Sequence, residues 1–80
     1  DYNDRNTVVA HLSLDHNERA MELLATMPKD AVTEYLRAIA CSRLGRKAEG
    51  RKHFLEACRL DGRMEYRGNL DPEIAELLKQ

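Results

Sequence analysis

Three histidines and two cysteines are the soft metal donors of this chain: His11, His16, His53, Cys41 and Cys58. A structural zinc site needs four such side chains converging on one ion, and a sequence usually supplies them as close pairs of the C-x2-C or H-x3-H kind. No such pair occurs, and His53 and Cys58, five residues apart, fall on different faces of one helix. The expectation is therefore that no metal is bound, that His16 and His53 are solvated, and that His11 packs at a helix boundary. Nucleophilic catalysis asks for a cysteine or serine beside a base in a pocket. Cys41 and Cys58 lie instead on apolar stripes, where a thiol is inert, so neither an enzyme nor a cofactor is expected. Both thiols read as reduced, with a bridge between two helices as the alternative.

Charge narrows the partners. The net charge of −1 is unevenly spread: residues 1–30 carry six acids against three bases, and residues 43–67 carry eight bases against four acids. That is a mild dipole, well short of the basic stripe that binding nucleic acid by counterion release requires. Glu49 and Glu56 lie among the bases, whose long stems cover apolar surface while their heads stay in water. No apolar run is long enough to span a membrane, and no signal peptide opens the chain. Because Asp1 stands where a methionine would begin a complete protein, the chain is expected to be a piece of a larger one.

The elements that position these groups are short amphipathic helices, and the expected class is all-α with five of them. A first helix over residues 2–14 shows apolar residues at Val8, Val9, Leu12 and, less cleanly, Tyr2, and lacks a clear start. Asn17 can cap a second over residues 18–27, striped by Ala20, Leu23, Leu24 and Met27 and stopped by Pro28. Asp30 can cap a third over residues 31–44, which buries some combination of Tyr35, Leu36, Ala38, Ile39, Cys41 and Leu44 and ends at Gly45. A fourth over residues 47–60 presents Phe54, Leu55, Ala57, Cys58 and Leu60, its outside covered by Arg46, Lys47, Arg51, Lys52 and Arg59. Residues 63–70 read as a looser connection to Asp71-Pro72-Glu73, where the aspartate caps and the proline opens a final helix striped by Ile74, Leu77 and Leu78.

Sliding the chain on itself by thirty residues aligns Leu14 with Leu44, Asp15 with Gly45, Ala20 with Gly50, Leu24 with Phe54 and Met27 with Ala57. A helix pair of this length cannot bury its apolar face alone, so a period near thirty implies that two pairs stack and share a core. In Ala38, Gly45, Gly50, Phe54 and Ala57 the second unit resembles the tetratricopeptide repeat family. That family has a small residue in its first helix, a glycine at the turn, and A-x3-F followed by a small residue in its second. The first unit keeps Ala20 but has Asp15, Leu24 and Met27 at the corresponding places. The usual tryptophan is absent, Cys41 stands where an aromatic is common, and Gly62 replaces the closing proline.

The resemblance covers residues 4–62 and implies one domain over residues 1–80: a repeat over residues 4–28, another over 31–62, and a capping helix over 71–79. It implies antiparallel helix pairs stacked as a short right-handed superhelix. The first helix of each pair would line a concave groove, which places Arg5, Asn6, Val9, Val32, Tyr35, Leu36, Ile39 and Arg43 in a partner-binding surface. The lysine, asparagine and arginine clamp by which some members hold a peptide carboxylate is missing, so the implied ligand is an amphipathic protein segment, or the N-terminal remainder of the same protein. The expected function is a non-catalytic protein-interaction module without nucleic-acid binding or membrane insertion and with at most weak self-association. The alternative is a structural C-terminal cap that ends a longer helical-repeat array or stabilises an attached domain of a multidomain protein and has no ligand of its own.

Overall fold

Asp4 opens the first helix. Its carboxylate accepts from the backbone N–H of Thr7 at 2.9 Å and from the Thr7 hydroxyl at 3.0 Å, so the helix that lacked a visible start is capped. The computed structural model describes residues 4–79, and Tyr2, assigned above to this helix, lies outside the described residues. Six helices follow in order: α1 (Arg5–Ser13), α2 (Asn17–Leu24), α3 (Ala31–Arg43), α4 (Lys47–Leu60), α5 (Arg63–Asn69) and α6 (Pro72–Leu78). No strand occurs among the described residues. No described helix is long and apolar enough to cross a membrane.

Asp30 repeats the device of Asp4 at α3. Its side chain accepts from the Thr33 amide at 2.8 Å while the Thr33 hydroxyl oxygen accepts from the Asp30 amide at 2.9 Å, a reciprocal capping box. α2 differs from expectation at both ends. Asn17 begins it without capping it, its side-chain amide donating instead to Asp15 at 3.0 Å. The helix stops at Leu24 rather than Met27, and beyond it the Thr26 hydroxyl donates to the Leu23 carbonyl at 2.7 Å.

The thirty-residue offset holds in the backbone. Asp15 (φ 63°) and Gly45 (φ 80°) are the two described residues in the left-handed region. The bonds around them correspond one for one: His16 N–H to the His11 carbonyl and Arg46 N–H to the Cys41 carbonyl, each 2.8 Å, then Ala20 to His16 at 3.0 Å and Gly50 to Arg46 at 2.9 Å. Aspartate tolerates this conformation where glycine adopts it freely, which is why the turn repeats although its residue does not.

The helices pack as successive pairs, α1 on α2, α3 on α4 and α5 on α6, with α3 also touching α1, α2, α5 and α6. Val8, Leu12, Leu23, Leu24, Tyr35, Leu36, Ile39, Phe54, Met64, Ile74 and Leu77 share one core. The small residues Ala20, Ala38 and Ala57 have no exposed surface, and an added Cβ at Gly50 would lie 3.1 Å from the Ala38 carbonyl oxygen. The radius of gyration of 11.5 Å matches the ~12 Å that scaling gives a folded chain of this length. Leu55 and Leu60, expected in the core, point outward and are 63% and 41% exposed.

The helix missing from the sequence reading is α5. Its buried positions are Met64 and Gly68, a stripe too thin to read, with a glycine that disfavours an isolated helix. Glycine is required there because a Cβ at Gly68 would come within 2.6 Å of two atoms of the buried Phe54 ring. The ring and the glycine fit together, and α5 is held by that fit. Gly68→Ala should therefore lower stability by about 1–3 kcal/mol, the usual cost of overpacking, despite the ~1 kcal/mol by which alanine favours a helix. Urea unfolding at constant m-value measures this, and an unchanged or raised midpoint would mean that α5 does not rest on Phe54.

Candidate functional site

Of the eight residues expected to line a groove, Arg5, Asn6 and Val9 are exposed on α1, and Val32 is partly buried. Tyr35, Leu36 and Ile39 are 1%, 5% and 6% exposed, so the apolar side of α3 is filled by the chain itself rather than open. The expectation of an exposed α3 surface is corrected at these three residues. The physical reason is that α3 is packed by α1, α2 and α4 and also by the two helices formed after α4, which reach it at Tyr35.

Tyr35 is where they meet. Phe54 packs edge-on to its ring with centroids 6.0 Å apart, and the Arg67 guanidinium of α5 lies 4.5 Å from the ring centroid. The phenol donates a 2.7 Å hydrogen bond to Asp71 Oδ2, while Asp71 Oδ1 accepts from the Glu73 amide and so caps α6. Burial, reinforced by the Asp71 carboxylate, raises the Tyr35 pKa well above its ordinary value.

Eight residues along α3, Arg43 makes the second connection. Its Nε and Nη2 donate to the two carboxylate oxygens of Glu73 at 2.7 and 2.9 Å, and its Nη1 donates to the Leu12 carbonyl of α1 at 2.6 Å. Asp15 stands 3.7 Å away. These residues, with Ser13 and Asn17, line an open polar cleft of about 600 Å³. The guanidinium is committed to Glu73 and a carbonyl, which leaves it poorly placed to receive an anion. The Ser13 hydroxyl donates to its own helix at the Val9 carbonyl, 2.9 Å away, which is the bond of a structural serine.

A second cluster lies between α3 and α4. Glu34, 3% exposed, accepts from Arg37 at 2.9 Å and from His53 Nδ1 at 3.0 Å. One ligand atom from each of Cys41, Glu49 and His53 lies within 4.8 Å of the other two. His53 is therefore partly buried and bonded rather than solvated, which corrects its reading as a surface residue. A thiol, an imidazole and a carboxylate together suggest a nucleophile with its base, but Cys41 has no exposed surface. Burial, and then Glu49, push its thiol pKa up, the opposite of activation. Cys41 and Cys58 are both free thiols. Sequence reasoning missed this cluster because it paired histidines only with cysteines; the legible signal was Glu49-x3-His53, two donors one helical turn apart.

His16 is exposed, and His11 is partly buried near the end of α1, its Nδ1 without a hydrogen-bond partner. Asp71 was recognised only as a cap, and Arg67 and Glu73 carried no signal, since the helix that places Arg67 was not read at all.

Removing the Tyr35 hydroxyl tests the first connection. Tyr35→Phe should cost about 1–2 kcal/mol at pH 7, the cost of a hydrogen bond to a carboxylate that water can partly replace. Because the folded-state pKa of Tyr35 is raised, its contribution is complete below the unfolded value near 10 and is lost as pH rises above it. The gap between the two proteins in urea unfolding should therefore narrow from pH 10 upward, and a gap independent of pH would mean that the phenol is not held by burial and Asp71. No family model, curated protein or solved structure matches this chain.

Proposed function

We propose that this chain is a non-catalytic helical-repeat module of the tetratricopeptide type that acts structurally. In this reading it ends a stack of helix pairs, with α5 and α6 closing the inner side of α3. The observation that carries it is the burial of Tyr35, Leu36 and Ile39: the surface on which such modules receive a partner is covered by the chain's own helices, with α5 and α6 meeting it at Tyr35. The thirty-residue correspondence of turn geometry and the buried small residues at the pair contacts support the repeat assignment. What remains outward from the expected groove is the α1 surface of Arg5, Asn6 and Val9, the last 47% exposed, and this is the face against which a further helix pair of the same protein would stack.

One observation favours the second reading, a module that binds an amphipathic acidic segment. Helix α6 is itself such a segment: Asp71 and Glu73 meet Tyr35 and Arg43 while Ile74 and Leu77 fill the core. A partner of the same pattern would compete with it for α3.

Truncation after residue 70 separates the two. The structural reading expects the shortened chain to lose helicity and self-associate through the uncovered face in sedimentation velocity and circular dichroism. A shortened chain that stays monomeric and helical, and takes up a synthetic peptide of residues 71–80, would overturn that reading in favour of a ligand groove.

A further inference from the structure

We propose that Cys41, Glu49 and His53 form a three-ligand site for a divalent transition-metal ion, zinc foremost, with Glu34 holding the imidazole in place. Glu49 and His53 are one turn apart on α4 and project toward the same flank. Cys41 faces them from α3, and Gly50 permits the approach, since a Cβ there would lie 3.3 Å from the Cys41 Cβ and 3.1 Å from the Ala38 carbonyl oxygen. The three donor atoms lie within 4.8 Å of one another. Donors around one zinc ion stand about 3.3–3.8 Å apart, so they need draw in by about 1 Å, and the exposed Glu49 side chain has the freedom to do so.

The imidazole is already oriented. The Glu34 carboxylate is held by Arg37 and lies 3.0 Å from His53 Nδ1, and with that nitrogen donating to it the lone pair lies on Nε2. A buried carboxylate on the far nitrogen is the arrangement that fixes the tautomer and raises the basicity of a metal-binding histidine. The donor set selects the ion. A thiolate disfavours magnesium and calcium, imidazole with thiolate suits zinc, and one thiolate plus one carboxylate balance a charge of two. Binding releases the Cys41 proton to solvent. The depth profile fits entry from outside: Glu49 is exposed, His53 partly buried, and Cys41 fully buried as the floor. Three protein ligands leave the fourth tetrahedral position to water.

Cobalt(II) and zinc(II) titrated into the intact, reduced chain test the site. One equivalent of cobalt should produce a thiolate-to-metal charge-transfer band with the visible bands of four-coordinate cobalt. Zinc should abolish both and raise the melting temperature. Cys41→Ser should remove the charge-transfer band and Cys58→Ser should leave it. Glu49→Gln, at an exposed position that does not threaten folding, should weaken binding at least tenfold, and Glu34→Gln by about 10–100-fold. A cobalt spectrum without the thiolate band, binding unchanged in Glu49→Gln, or binding abolished by His11→Gln/His16→Gln would overturn the proposal.

Discussion

Three helices end against the central pair, and each end brings carbonyls that no further helical amide can satisfy. Arginines of α3 and α4 answer all three. Arg37 donates to the Leu24 carbonyl at the end of α2, Arg43 to Leu12 in the last turn of α1, and Arg51 to Leu77 in the last turn of α6. The Leu12 and Leu24 carbonyls also accept from the Asp15 and Met27 amides, so there the guanidinium adds a second, charge-assisted bond, and a cation at a helix C-terminus meets the negative end of the dipole. Three guanidinium groups thus tie the C-terminal ends of α1, α2 and α6 to the central pair. Arg51, expected among the solvated charges covering α4, is one of these anchors.

From this follows the closure of α3. Arg43 ties α1 and α6 to one point, Tyr35 ties Asp71 to the core, and α5 slots in because Gly68 yields its side-chain space to Phe54. Helix α3 therefore buries most of its length, including the charged Glu34, whose carboxylate is paired by Arg37 and His53. Leaving one member of such a network without its partners is strongly destabilising, so these polar contacts constrain sequence as firmly as the apolar ones. A helix enclosed in this way has no free apolar face, and that shifts the functional reading from a groove toward a closed structural unit.

How much was legible depended on whether a feature is local. Helices α3 and α4 were read to within a residue, because Asp30, Gly45 and Asp61 are local stop and start signals. The turn register was legible through Asp15 and Gly45 despite their different chemistry. Helix α5 was not, since its two buried residues have meaning only against Phe54 and the glycine that makes the fit argues locally against a helix. The outward Leu55 and Leu60 were misplaced because apolar spacing on α4 covers more than the face that packing uses. The burial of Tyr35, Leu36 and Ile39 was not legible, because the contacts that Asp71, Arg67 and Glu73 make with α3 are long-range and no local pattern announces them. The Glu34 and Glu49 carboxylates beside His53 and Cys41 escaped for the same reason.

The central claim is that α6 belongs to the folded core rather than resting on it. Native-state amide hydrogen exchange of the intact chain tests this most directly, by comparing the protected amides of α6 at residues 75–78 with those of α3 at residues 35–41. The account predicts that both sets open with the same free energy and the same denaturant dependence, as one cooperative unit. If the α6 amides instead exchange through a low-energy opening that leaves α3 protected, α6 is a detachable cover and the closed structural unit described here is contradicted.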